Sequence, residues 1–141
     1  MPQVTVILPT WNRAKWLKTS IESVLSQTFQ DFELIVVDDS STDSTGKILE
    51  SYSGKIRTIL LPENLGVSAA RNTAIVQSDS KWIAFLDSDD YWHAEKLEKQ
   101  IKQTRLCPEY QIHFTDEIWI RNGIRVNPKN KHRKMEGWIF K

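Results

Sequence analysis

Apolar and polar positions alternate along this chain in two periods, and the periods take turns. Val4-Thr5-Val6-Ile7-Leu8 is a β-branched apolar run of the kind that forms a buried strand, and Pro9 marks its expected end. Leu17, Ile21, Val24 and Leu25 then recur at i, i+4, i+7 and i+8, one face of a helix. A second strand is predicted over Phe32 to Val37, running into Asp38-Asp39. The string Ser40-Ser41-Thr42-Asp43-Ser44-Thr45 is rich in N-cap residues, and Ile48, Leu49 and Tyr52 mark a short helix after it. Ile56 to Leu61 reads as a third strand closed by Pro62, and Val67 to Val76 as a helix whose Ala69, Ala70 and Ala74 allow close packing. Trp82-Ile83-Ala84-Phe85-Leu86 is a continuous apolar run, predicted to be a strand buried on both faces. Leu97 and Ile101 mark a fourth helix. Beyond it, Gln111 to Trp119 is expected to be a further strand, and Asn122-Gly123 between apolar residues is a hairpin signal.

Strand and helix in strict alternation imply an α/β fold, a mostly parallel sheet with right-handed crossovers and helices on both faces. In such sheets ligands lie outside the carboxyl ends of the strands. The polar clusters fall at those ends: Thr10, Asn12 and Arg13 after the first strand, Asp38 and Asp39 after the second, Asp87 and Asp89 after the fourth. Turn residues with no common task would scatter over both edges of the sheet.

Asp87-Ser88-Asp89-Asp90 carries the chemistry. On an extended backbone Asp87 and Asp89 share one face, and two carboxylates so placed repel unless a cation sits between them. Hard oxygen ligands in so small a cluster suit Mg²⁺ or Mn²⁺ that keeps positions open for phosphate oxygens. The alternative is a plain strand-to-helix turn in which Asp89 or Asp90 caps the next helix. A dinucleotide fold fails at its defining point, since Pro9-Thr10-Trp11-Asn12 offers no glycine for a pyrophosphate to approach, and no Walker-type loop is present. A nucleotidyltransferase, which shares the layered fold, would also want a glycine-rich basic loop there.

Composition narrows the partners. A chain of 141 residues with net charge +1 suits one core and gives no global nucleic-acid or membrane surface. Residues 127–141 are locally basic, with Lys129, Lys131, Arg133, Lys134 and Lys141 against Glu136, and are expected to be solvated. One cysteine, Cys107, rules out an internal disulfide. No apolar run reaches membrane-spanning length and no signal pattern opens the chain, so a cytoplasmic setting is expected, with peripheral membrane association and self-association left open.

Four ordered segments carry a resemblance. Val6 to Arg13, Val36-Val37-Asp38-Asp39-Ser40-Ser41-Thr42-Asp43, Asn64 to Asn72 and Phe85-Leu86-Asp87-Ser88-Asp89-Asp90 resemble the motifs of the large inverting family of nucleotide-sugar glycosyltransferases. That family has the Rossmann-like GT-A fold and includes cellulose, chitin and hyaluronan synthases. The likeness runs from Val4 to about Ile101. It implies transfer of a sugar from a metal-bound nucleotide-diphosphate sugar, UDP-sugar favoured, in polysaccharide or cell-wall synthesis. By the resemblance, Pro9, Thr10 and Asn12 would border base and ribose, and Asp39 would accept from the base. Arg71 would lie near base or phosphates, and Asp87 and Asp89 would be the D-x-D pair holding Mn²⁺ or Mg²⁺. Asp38 is expected to fix a loop or touch the ribose, and Trp11 either packs beside the nucleotide or fills the core. As a strand-end loop residue, Asp39 is expected to add little to the fold.

The domains expected are a nucleotide-sugar-binding core over residues 1–110 and the start of an acceptor region over 111–141. The family's acceptor half, with the base that deprotonates the acceptor, is expected to lie beyond Lys141, and nothing marks Asp116 or Glu117 as that base. A donor-binding or assembly module that cannot transfer is the alternative to an active transferase.

Overall fold

The computed structural model describes residues 1–126, so the basic stretch 127–141 lies outside the described residues. These fall into two compact units, Met1–Lys99 and a second beginning at Gln100. The first unit holds strands β1 (Val4–Thr10), β2 (Phe32–Asp38), β3 (Arg57–Leu60) and β4 (Trp82–Phe85), with helices α1 (Ala14–Leu25), α2 (Thr45–Ser51) and α3 (Val67–Val76) between them. All four strands are parallel, in the order β3-β2-β1-β4.

That order fixes the site. The chain steps from β1 to β2 to β3, then crosses back over the sheet to β4 on the far side of β1, so strand order reverses between β1 and β4. Right-handed crossovers put α1 and α2 on one face and α3, which travels the other way, on the opposite face. Ala70 and Ala74 of α3 pack on Ile7, Ile35 and Val37, joined by Ile59, Leu61 and Ile83. Alanine at these positions lets the helix approach the sheet closely. By strand alternation Val6, Leu8, Leu34 and Val36 point to the other face, and α1 buries Leu17, Ile21 and Val24.

Pro9 does not end β1, which runs on to Thr10 in register with Asp38. The Ile7 carbonyl accepts from Leu86 on the β4 side, and the Thr10 carbonyl accepts from Asp39 on the β2 side. Alternation therefore turns the missing donor of Pro9 toward β4, whose pairing has already stopped at Phe85. A central-strand proline costs no ladder bond at this position.

The apolar run at β4 differs from expectation too. Among the described residues β4 is an edge of the sheet, with Trp82, Ile83 and Ala84 half-buried and Phe85 45% exposed. A continuous apolar run signals neighbours on both faces, and here one flank and part of a face are uncovered.

Helix α4 (Lys96–Leu106) begins in the first unit and continues into the second. In the second unit residues 111–118 do not form the expected strand; Ile112, Phe114 and Ile118 are exposed. Strand pairing starts at β5 (Trp119–Arg121), which forms an antiparallel hairpin with β6 (Ile124–Val126). Asn122 (φ 51°) and Gly123 (φ 76°) turn it, the left-handed pair that a two-residue hairpin needs.

Candidate functional site

The carboxyl ends of β1, β2 and β4 and the start of α3 border one open cleft of about 480 Å³. It sits at the reversal of strand order, where an α/β sheet leaves a crevice. Pro9, Thr10, Asp39, Arg71, Asp87 and Asp89, all expected from the sequence, line it together. Trp11 lines it as well and is 50% exposed, so it does not fill the core.

Asn12 is placed differently. Its Oδ1 accepts from the backbone N–H of Thr42 at 2.8 Å and of Asp43 at 3.2 Å, and its own N–H donates to Ser41 Oγ at 2.9 Å. These bonds hold Asn12 in a left-handed conformation (φ 50°) that asparagine tolerates better than most residues. It ties the loop after β1 to the loop after β2 and is not among the residues lining the cleft. Asp38 fixes the same loop, accepting the Ser41 N–H at 3.0 Å. Asp43 accepts from Thr45 and Ala14, bonds that hold its carboxyl below the usual range.

Asp39 is 3% exposed, and both carboxylate oxygens are engaged. Oδ1 accepts from Leu65 N–H and Oδ2 from Gly66 N–H, each at 2.8 Å. Gly66 is the N-cap residue of α3, a helix with no acidic side chain in its first turn and no side-chain cap of its own. Asp39 thus supplies from another strand the negative charge and acceptors that a helix start favours. Its role in the fold is larger than a strand-end loop position suggests. Each oxygen keeps a second lone pair for a ligand.

Asp87 and Asp89 do not continue an extended strand. β4 stops at Phe85, and the Asp90 N–H donates to the Asp87 carbonyl at 3.0 Å, closing a turn over residues 87–90. Both carboxylates still reach the cleft, and their side chains are 53% and 55% exposed. Each has a guanidinium neighbour: Arg71 Nη2 donates to Asp87 Oδ1 at 2.6 Å, and Arg13 Nε lies 3.9 Å from Asp89 Oδ2. The cations that the carboxylate pair calls for are two arginines here. Arg71 also lies over the Phe85 ring, 5.3 Å from its centroid.

Two polar atoms bordering the cleft lack a partner. Thr10 Oγ1 and Arg71 Nε are buried with no hydrogen bond. Unmade hydrogen bonds at buried atoms cost free energy, and both of these belong to residues that border the cleft.

Among the described residues no group of three or more His, Cys, Asp or Glu is placed to hold a metal ion. Two carboxylates with an open flank nevertheless fit Mg²⁺ or Mn²⁺, which takes one or two carboxylates and completes its shell with water and phosphate oxygens.

Arg13, expected at this edge of the sheet, lines the cleft as well, as do Asn64, Gly66, Val67, Ala70 and Ser88, which the sequence does not single out. All six lie inside the motif segments, but the facing of Arg13 and Asp89 depends on chain crossing that residue spacing does not encode.

The Glycosyl transferase family 2 model matches residues 5–109. The chain is 42% identical over 104 residues to the "Putative teichuronic acid biosynthesis glycosyltransferase TuaG" of Bacillus subtilis, a match covering 72% of this chain and 41% of that protein. It is 44% identical over 99 residues to the Escherichia coli "UDP-Glc:alpha-D-GlcNAc-diphosphoundecaprenol beta-1,3-glucosyltransferase WfgD", covering 70% of this chain and 39% of that one. The chain thus spans about two fifths of the length of these curated relatives. Among solved structures, S. aureus TarS 1-349 in complex with UDP-GlcNAc superposes with a TM-score of 0.70 at 35% identity, over 74% of this chain and 31% of that 1-349 chain. The mannosyltransferase PcManGT from Pyrobaculum calidifontis, in complex with GDP-Man and Mn2+, gives 0.66 at 28% identity, over 73% of this chain and 32% of that one. The family match takes in the four-stranded sheet but for Val4, every residue lining the cleft and the whole of α4, and on that ground the chain belongs to glycosyl transferase family 2, with the GT-A fold.

Proposed function

We propose that this chain is the donor-binding part of a glycosyltransferase that transfers a sugar, with inversion, from a nucleoside diphosphate sugar to an acceptor in surface-polysaccharide synthesis. The observation that carries the reading is the convergence of Asp87, Asp89, Arg71 and Thr10 on one cleft wall, two of them with unpartnered buried donors. The start of α3 adds its positive end at the same wall. Diphosphate is the ligand that answers such a set: anionic, rich in acceptors and able to share a cation with carboxylates.

Roles follow from position. Arg71 keeps Asp87 oriented and sets its guanidinium charge beside the phosphates. Thr10 borders the nucleoside with Pro9 and the exposed Trp11 ring, and Asp39 offers its spare lone pairs to the base. Asn12 shapes the pocket from behind, through the loop it holds. A divalent cation held by Asp87 and Asp89 would supply Lewis-acid stabilisation of the departing diphosphate. UDP is the favoured nucleotide, in line with the UDP-GlcNAc complex of TarS, while the GDP-Man complex of PcManGT keeps a purine in the test panel. The acceptor class follows the names of the teichuronic acid and diphosphoundecaprenol relatives.

A second reading rests on the carboxylates. Those lining the cleft are Asp39, Asp87 and Asp89, each already engaged. Inversion requires a general base on the acceptor side, worth roughly 10²–10⁴-fold. The described residues therefore suit donor binding better than complete transfer, as a donor-binding module would. Calorimetry with UDP separates the outcomes: tight binding with Mn²⁺ that chelator abolishes supports a metal-dependent donor site. Equal affinity with and without chelator refutes it. Sugar transfer by the 141-residue chain itself would reject the module reading.

A further inference from the structure

Helix α1 presents a polar stripe to the segment that follows β4. Ser20, Ser23 and Gln27 recur at i, i+3 and i+7 on one side of α1 and just past its end, and each spends its side chain on backbone between residues 88 and 97. The Gln27 amide donates to the His93 carbonyl at 2.8 Å and accepts from Leu97 N–H at 2.9 Å. Ser23 Oγ accepts from Trp92 N–H at 3.1 Å. Ser20 Oγ lies 3.0 Å from the Ser88 carbonyl and 2.6 Å from the Asp90 carbonyl, its one hydrogen directed at the pair. Those two carbonyls flank Asp89.

A helical serine ordinarily turns its hydroxyl to solvent or back to its own helix. Ser20 does neither: it is 1% exposed and faces the turn. Alanine there would favour the helix, so the hydroxyl's service is to the carbonyls it meets. Asp87 and Asp89 are half exposed, so beside their arginine partners it is the backbone of their turn that sets where the carboxylates stand. We infer that Ser20 is a positioning residue of the donor site, fixing the turn 87–90 from below so that Asp87 and Asp89 present together to a cation-bound diphosphate. The inference rests on the donor reading above and adds to it a residue outside the cleft.

The test uses the 141-residue chain as Ser20→Ala, with Val24→Ala as a control that loosens the same helix from the core but keeps the Ser20 hydroxyl and its bonds to the turn. Two readouts are taken: amide hydrogen exchange at Asp90 in the ligand-free protein, and UDP affinity with Mn²⁺ and with chelator. Ser20→Ala should speed Asp90 exchange and weaken Mn²⁺-dependent UDP binding about tenfold, the lower end of what partners of metal ligands contribute. Binding in chelator should stay unchanged, and Val24→Ala should shift neither. If Ser20→Ala fails to fold, Ser20→Cys, with a weak donor in the same place, should give the same split at smaller size. Equal effects in Ser20→Ala and Val24→Ala would make the role merely structural and overturn the inference. Wild-type binding that Ser20→Ala leaves untouched overturns the inference alone. A wild-type chain that binds no UDP with Mn²⁺ overturns the donor reading and this inference with it.

Discussion

Asp39→Ala separates two roles that the site assigns to one carboxylate. Its oxygens take the N–H groups of Leu65 and Gly66 at 2.8 Å each, from a side chain that is almost fully buried. Hydrogen bonds to a charged acceptor contribute roughly 1.5 to 3 kcal/mol apiece, and a carboxylate at a helix start adds a further ~0.3–1 kcal/mol. The contributions do not sum, because both N–H groups sit in one exposed loop that water reaches once the clamp is gone. A loss of about 2–4 kcal/mol in unfolding free energy is expected, measured by urea denaturation with the slope unchanged. A loss below about 0.5 kcal/mol, the size of an ordinary surface substitution, would refute the clamp. Weaker nucleotide binding by the mutant does not by itself assign a base contact, since a loosened start of α3 disturbs Arg71 as well. The discriminating measurement is the ratio of UDP to GDP affinity. A loss shared equally by the two nucleotides indicates loop-holding alone; a loss confined to UDP indicates a contact with the base.

Two further outcomes follow from single positions. Gly66→Ala should cost about 1–3 kcal/mol by urea denaturation, all of it backbone strain, because Gly66 sits at φ 87° and ψ 163° while nothing lies within 4 Å of where a Cβ would be. Burial lowers the Lys96 ammonium from 10.5 to about 8, opposed by the Trp92 ring face 3.5 Å from its Nζ. The folded chain therefore sheds this proton before the unfolded chain does, so the cost of the buried charge is complete below pH 8 and fades as pH rises toward 10.5. That cost is at most about 3 kcal/mol before the ring's repayment of up to ~2 kcal/mol. Lys96→Met should stabilise the chain by about 1–2 kcal/mol at pH 7 and by less than about 0.5 kcal/mol at pH 10.5, read from paired denaturation curves.

How far the sequence reaches depends on which atoms do the work. Side-chain pattern carried the strand order's main consequence, the gathering of Thr10, Asp39 and Asp87 at one edge, because runs and periods report burial. It misjudged β4 for the same reason: an apolar run measures what a strand is made of, and says nothing of whether a neighbour is present on its flank. The extended geometry expected for Asp87 and Asp89 gives way to a turn, the alternative that Asp-Ser-Asp-Asp also offers, closed by a backbone bond between Asp87 and Asp90. Asn12 and Asp39 were placed near a nucleotide by resemblance, and both hold main-chain N–H groups in other loops. Every residue has such a group, so no motif records it.

Helix α1 shows where a closer reading would have gone further. Leu17, Ile21, Val24 and Leu25 recur as one apolar face, a pattern that gives no role to the polar positions between them. Positions 17, 20, 21 and 24 are i, i+3, i+4 and i+7, so Ser20 lies inside that stripe and is buried with it. A small polar residue within a buried stripe must find a partner, either a carbonyl of its own helix, as Ser23 does, or the element packed on that side. Ser20 takes the second course. In a parallel sheet whose β4 lies beside β1, that element is the segment leaving β4, which here carries Asp87 and Asp89. Polar interruptions of an apolar helical stripe thus point across the interior to the backbone they serve, and in this chain that backbone belongs to the turn bearing the two cleft carboxylates.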